Sequence, residues 1–400
     1  MPPTRKGRVS FYSRDARRAS RDSAAEQPKL AAVVLAAGEG ARMHSARPKP
    51  LHRLCGRPMV MWALDALGGL GLTRVVVVVG HGATRVTKAL AEASSHGMLL
   101  EVVEQPVQRG TGDALSVALT AFNDDEGELD DLLVLPGDTP LLRPGTLVEL
   151  VAAHREGSAA ATLLTARLDD PRGYGRVVRA RDGQVASIVE EADATEEERA
   201  IKEVATSIYV FRRSVLAPAL RRLSPDNAQG EYYLTDVVGV LHDAGYPAIS
   251  VVAPDPTETN GVNDRAQLAR AEAVLRRRIN EKWMRRGVTM LDPQHTYLDS
   301  TVELAEDVTL YPGTILQGST RVATGAEIGP ASHLVDCVVE ARARAHSTAA
   351  EQVTIGEDAR VGPWAWLAPG TVVARGAIIR PAMGAYSAEG EVPGGTDLEA

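Results

Sequence analysis

Three short segments combine residue types that could do chemistry. The first is Leu35-Ala36-Ala37-Gly38-Glu39-Gly40-Ala41-Arg42-Met43, followed by Pro48-Lys49. A Gly-rich turn after a buried strand exposes backbone N–H groups that can cradle phosphate oxygens. Arg42 and Lys49 add positive charge where a triphosphate would sit. Tight turns also use Gly for steric reasons alone; the spacing to Arg42 and Lys49 raises this turn above that reading. The second segment holds Gln105, Gln108, Gly110, Thr111, Gly112 and Asp113. A side-chain amide presents a donor and an acceptor together, which reading a nucleobase edge requires; a polar loop before a helix has the same composition. The third is Leu135-Pro136-Gly137-Asp138. A carboxylate just past a buried strand and beside a phosphate site suits Mg2+, which takes one or two carboxylates plus phosphates and water. A turn Asp capping a helix is the plainer alternative. The 9 histidines are scattered and form no metal-ligand spacing.

These segments need elements to position them. Leu30–Leu35, Arg74–Val79, Leu99–Glu104 and Leu132–Leu135 are short apolar runs separated by helical-length stretches, among them Pro58–Leu67. That alternation predicts an α/β fold, a Rossmann-like mainly parallel mixed sheet with helices on both faces. Ligands of such sheets bind beyond the carboxyl ends of the strands, where the Gly-rich turn and Pro136-Gly137-Asp138 both fall. After Ala160 the rhythm becomes antiparallel. Arg176–Arg179 and Val185–Val189 flank the hairpin turn Arg181-Asp182-Gly183, and Glu203–Phe211 is a further strand. Apolar residues at helical spacing, from Leu268 to Trp283, predict a long connecting helix over 263–287. Beyond it, aliphatic residues recur at a loose six-residue period: Val302, Val308, Ile315, Val322, Ile328, Ile355, Val361, Leu367, Val372 and Ile378. Such a repeat predicts a parallel β-helix, whose coils bury their apolar rows on one another. The domains expected are a disordered basic leader over 1–28, a nucleotide-handling domain over 29–262, the connecting helix, a β-helix over 288–381 and a disordered tail over 382–400.

Composition excludes several classes. The chain has 400 residues, 44% hydrophobic and 4% aromatic, which suits a core of Val, Leu, Ala and Ile rather than an aromatic sandwich. A net charge of −8 supplies no argument for nucleic-acid binding. No run approaches the ~18–20 apolar residues of a spanning helix. Cys55 and Cys337 are far apart, which fits a reducing compartment and a cytoplasmic location. The first 27 residues are rich in Arg and Ser without an apolar stretch, so they are not a secretory signal.

The ordered motifs resemble the bifunctional N-acetylglucosamine-1-phosphate uridylyltransferase / glucosamine-1-phosphate acetyltransferase family, chiefly its nucleotidyltransferase half. The likeness runs from about Leu30 to Gly287 and weakly beyond. It rests on the three segments above, on Gly173-Tyr174-Gly175-Arg176, Ile188-Val189-Glu190 with Asp193-Ala194-Thr195, Asn227 to Asp236, and Gly261-Val262-Asn263. The resemblance implies that the β-helix is left-handed. It also implies that Leu35, Ala36, Ala37 and Gly38 hold the uridine nucleotide, with Gln105, Gly110 and Thr111 at the base. Arg42 and Lys49 would be the catalytic cations against the triphosphate and leaving pyrophosphate. Asp138 and Asn263 would ligate Mg2+; Gly175, Glu190, Tyr233 and Thr235 would hold the amino sugar. The implied reaction is attack by a sugar-1-phosphate oxygen on the α-phosphorus of UTP, without a covalent enzyme intermediate. The implied partners are UTP and the sugar-1-phosphate, and the implied assembly is a homo-oligomer, a trimer.

The chain departs from that pattern at four places. It carries Ala41 for Thr, Pro136 for Tyr, and Ala205-Thr206-Ser207 for Asn-Thr-Gly. Ala205 cannot hydrogen-bond a sugar, a loss of about 1–3 kcal/mol at a buried polar group. In Leu367-Ala368-Pro369-Gly370, Ala368 replaces the first Arg of the acetyltransferase site, and the chain ends before the His-bearing coils. Acetyl transfer and an acetyl-CoA site are therefore expected to be absent. Two alternatives follow from Ala41 and Ala205: another sugar phosphate or nucleotide as substrate, or a non-catalytic nucleotide-sugar-binding paralogue.

Overall fold

The computed structural model describes residues 8–10, 29–93, 100–122 and 129–380. The leader, apart from residues 8–10, and the tail expected over 382–400 lie outside the described residues. The chain forms two compact units. One comprises residues up to His52 together with Pro58–Leu268; the other joins Arg53–Arg57 to the chain from Ala269 onward.

The first unit is built on one mixed sheet. Its strands are β1 (Arg8–Ser10), β2 (Leu30–Ala36), β3 (Val75–Val79), β4 (Leu100–Glu104), β5 (Asp131–Pro136), β6 (Ala161–Arg167), β7 (Arg176–Arg179), β8 (Val185–Val189), β9 (Glu203–Arg212) and β10 (Ala248–Val252). The spatial order is β1-β4-β3-β2-β5-β9-β6-β10, with the β7–β8 hairpin joined to β9. From β4 to β5 every pairing is parallel, while β9 runs antiparallel to both its neighbours and β10 is parallel to β6. Strand β1 corrects the expectation of a wholly unstructured leader: three of its residues pair antiparallel with β4. The backbone supplies those hydrogen bonds whatever the side chains, so an Arg- and Ser-rich composition does not reveal them.

Alternate side chains of the central strands feed two cores. Helices α1 (Met59–Asp65) and α2 (Ala83–Ala93) precede α3 (Thr111–Leu119), whose Leu115 packs on one side with Ala31 and Val33 of β2 and with Val237 of the later helix Asp236–Asp243. Ala32 and Val34 pack on the other with Val60, Leu64, Leu147 and Leu150, which belong to helices Met59–Asp65 and Pro144–Glu156. Burial on both faces is why these strands read as continuous aliphatic runs. Their carboxyl ends lie side by side and continue the ladder by one bond: Gly137 N–H donates to Leu35 O and Gln105 N–H to Val79 O, each at 2.8 Å.

The second unit is a left-handed β-helix. Three parallel sheets of two- and three-residue strands stack along its axis. The helix expected as a connector, Arg265–Met284, has all but its first turn in this unit, where Trp283 joins the β-helix core. The buried strand row is Leu298, Leu304, Leu310, Leu316, Val322, Ile328, Leu334, Val339, Ala345, Ala350, Ile355, Val361, Leu367 and Val373. Two residues before all but the last lies a second buried row, including Thr314, Thr320, Ala326, Ser332, Cys337, Ala343 and Thr348. This corrects the six-residue reading at three positions. Ile315, Val372 and Ile378 point outward beside Leu316, Val373 and Ile379, because successive strand residues face opposite sides. Val302 and Val308 belong to the second row. No described helix is long and apolar enough to cross a membrane.

Candidate active site

At the carboxyl edge of β2, β4 and β5 the first unit opens into a cavity of about 770 Å³. After β2 the chain turns at Gly40 (φ 67°) into the short 3-10 helix Ala41–Met43. A Cβ at Gly40 would lie 2.7 Å from Lys49 Cβ, so this position must be Gly both for its left-handed backbone and for the approach of Lys49. Arg42 lines the cavity. Lys49 opens the 3-10 helix Lys49–Leu51 and is largely buried, with its side chain 13% exposed. Its ammonium contacts Asp138 Oδ2 and donates to Asn263 Oδ1 at 2.8 Å. Two oxygens from residues far apart in sequence therefore converge on one cation. The Asp138 carbonyl also accepts from Val262 N–H at 2.9 Å, and Gln267 Oε1 accepts from Asn263 N–H at 2.6 Å. Asn263 is thus held from both sides.

The base-side wall comes from the loop between β4 and α3. Gly110 (φ 105°) precedes α3, and a Cβ there would meet Tyr232 O at 2.6 Å. That close approach lets Gly112 N–H donate to Tyr232 O at 2.8 Å, while Leu234 N–H donates to Thr111 Oγ1 at 3.0 Å. The segment Tyr232–Thr235 is zipped onto the start of α3, which sets the expected base residues beside the expected sugar residues.

On the sugar side Thr235 Oγ1 donates to Glu190 Oε1 at 3.0 Å. Burial holds the Glu190 carboxyl above its ordinary range, opposed by this hydrogen bond and reinforced by Asp236 and Asp193. Asp236 is raised for the same first reason, burial, with Asp193 adding to it. The Tyr233 phenol is pushed up to about 12 by burial and then by the nearby acids Asp193, Glu190 and Glu231. Gly175 accepts at its carbonyl from Ala205 N–H at 2.9 Å. Ala205 lines the cavity next to a bulge in β9, in which Ser207 has φ 60°.

Of the residues singled out from sequence, Leu35, Ala37, Gly38, Arg42, Gln105, Gly110, Thr111, Asp138, Glu190, Thr235 and Asn263 line this one cavity. Lys49 reaches it through Asp138 and Asn263. Ala36 points instead into the core cluster with Val34 and Val79. Gly175 and Tyr233 stand behind the wall rather than on it. Sequence reasoning missed Tyr209, Thr139 and Gln267, which also line the cavity. Tyr209 sits in an apolar strand and reads as core, and Gln267 as one more polar residue of a helix. The arrangement offers two oxygen ligands, two cations and a backbone turn for phosphates. Among the described residues no cluster of three His, Cys, Asp or Glu could hold a metal alone. Both cysteines are buried, and burial is the first cause that raises each thiol.

Residues 32–234 match the MobA-like NTP transferase domain. The chain is 45% identical over 346 residues to the bifunctional protein GlmU of Desulfitobacterium hafniense, covering 86% of this chain and 74% of that protein. Against bifunctional GlmU of Streptomyces coelicolor it is 46% identical, covering 85% and 70%. Against that of Corynebacterium efficiens it is 44% identical, covering 87% and 71%. With this domain match and this identity over most of its length, the chain belongs to the GlmU family and is a sugar-1-phosphate nucleotidyltransferase.

Proposed function

We propose that the protein transfers a uridylyl group from UTP to N-acetylglucosamine-1-phosphate, releasing pyrophosphate, and that it does so with Mg2+. The observation that carries this reading is the convergence of Asp138 and Asn263 on Lys49 at the mouth of the Gly-rich turn. The residues present fit Mg2+: both donors are hard oxygens, one carboxylate and one amide, and the remaining positions fall to phosphate and water. When bound, the ion neutralises phosphate oxygens and helps pyrophosphate leave.

The chain's own residues supply positioning and charge. The turn after β2 offers backbone N–H groups to phosphate oxygens. Arg42 and Lys49 oppose the negative charge that builds on the leaving group, and Asp138 and Asn263 hold Lys49 in place until substrates arrive. Glu190 and Thr235 accept and donate to sugar hydroxyls, while the wall at Gln105 and Gly110 receives the base. Alignment of two anions in line, with charge neutralisation, accounts for the catalysis.

Of the two activities implied for the family, only the nucleotidyl transfer is proposed. Ala368 puts a methyl group where the acetyltransferase site would need a cation. The protein is further proposed to act in the cytoplasm as a trimer through its β-helix, which light scattering of the purified chain would check. The decisive experiment is pyrophosphate release from UTP and N-acetylglucosamine-1-phosphate with Mg2+, with and without EDTA. Metal-dependent release is expected. UTP binding without release on this sugar, but release on another, would move the assignment to a different sugar phosphate, the reading that Ala205 favours.

A further inference from the structure

The bond that orients Gln105 lies outside the cavity wall. Gln105 is 3% exposed, and its backbone is fixed by the bond from its N–H to Val79 O. Its side-chain Nε2 donates to Asp113 Oδ2 at 2.7 Å and to Gly110 O at 3.3 Å. A carbonyl and an ionised carboxylate only accept, so the amide cannot turn over without setting its oxygen against both. Among the described residues no donor reaches Oε1, and Gln105 lines the cavity. Asp113 does not line it; it sits in the first turn of α3, where a negative charge is favoured.

We infer that Asp113 locks the Gln105 amide so that it presents a fixed hydrogen-bond acceptor to the nucleobase, making Asp113 a positioning residue for uracil over cytosine. This rests on the uridylyl reading above. Uracil carries an N–H at N3, whereas cytosine carries a lone pair there. A fixed acceptor opposite N3 binds the first and repels the second. Without the lock the amide is free to turn over and offer its N–H, which is the partner cytosine needs. Asp113 touches neither base nor phosphate in this scheme and acts only through Gln105.

The test compares kcat/KM with UTP and with CTP for the full chain and for Asp113→Ala and Asp113→Asn, with Mg2+ and N-acetylglucosamine-1-phosphate. Asp113→Ala is expected to lower the UTP-to-CTP ratio roughly ten- to a hundred-fold, the range for losing one buried hydrogen bond. The KM for the sugar phosphate stays unchanged. Asp113→Asn, which can accept from Nε2 or donate to Oε1, is expected to fall between. It is isosteric, so it carries the test if the Ala variant does not fold. A purely structural role would lower both nucleotides alike and leave the ratio intact. A ratio unchanged in folded variants overturns the inference while leaving the uridylyl reading standing. A wild-type enzyme that prefers CTP overturns both.

Discussion

Strand β3 buries all five side chains of Val75–Val79, whereas Trp366–Leu367 in the β-helix buries one of its two, with Trp366 72% exposed. The difference decides where each unit can do chemistry. A sheet covered on both faces has only its strand ends left for ligands, and Gly38, Gln105 and Asp138 each follow directly on such an end. A β-helix buries one side of every strand and shows the other, so its polar residues are spread along flat faces. There they meet as exposed pairs between neighbouring coils, such as Arg321 with Glu303 at 3.0 Å.

The contrast is open to attack in order of effect. Asp138→Ala removes one of the two oxygens that converge on Lys49. It is expected to reduce pyrophosphate release by about a thousandfold, as loss of a principal electrostatic group does, with an unchanged circular dichroism spectrum. Unchanged turnover would remove Asp138 from the site. Ile328→Ala, fully buried in the β-helix row, should cost about 2–5 kcal/mol and give that unit an earlier unfolding transition. Pyrophosphate release below that transition should be unaffected; loss of activity before unfolding would show that the units are not functionally separable.

A smaller effect is expected at Glu190. Burial raises its carboxyl, so the folded chain holds that proton more tightly than the unfolded one. Its contribution to stability is therefore lost as pH rises from the ordinary carboxylate range through the raised value. Glu190→Gln should flatten that part of the stability profile while raising the sugar-phosphate KM roughly tenfold, with the KM for UTP unchanged. Denaturant midpoints measured across the acid range check the first part. The smallest effect is Ser207→Gly. Relieving the left-handed backbone at φ 60° should stabilise the first unit by about 1 kcal/mol, seen as a higher denaturant midpoint. A lower midpoint would mean that the Ser207 hydroxyl contributes more than its backbone costs.

Much of the first unit was legible. Leu30–Ala36 and Val75–Val79 are aliphatic runs that neither a surface strand nor an amphipathic helix would carry, and the Gly, Gln and Asp segments follow the ends of β2, β4 and β5. The hairpin of β7 and β8 has the bounds its turn predicted. The β-helix was legible as a period but not as a register. Some strands offer two adjacent aliphatic residues, as at Ile315-Leu316 and Val372-Val373, and Ala345 and Ala350 carry the buried row where no large residue marks it. Tyr209 was hidden for a related reason: in a strand of buried residues, an aromatic facing the cavity looks like one facing the core.

By itself the sequence determined which elements form, because hydrophobic period and Gly placement act locally. It also supplied the inventory of ligand oxygens, cations and amides. Only the tertiary structure decided which of them meet. Lys49 and Asn263 are brought within 2.8 Å across 214 positions of chain, and the bond from Gln105 to Asp113 spans a loop and a helix start. Such distances depend on how strands order in the sheet and how loops dock on their ends. That order is set by the packing of both cores at once, not by any segment's own preference.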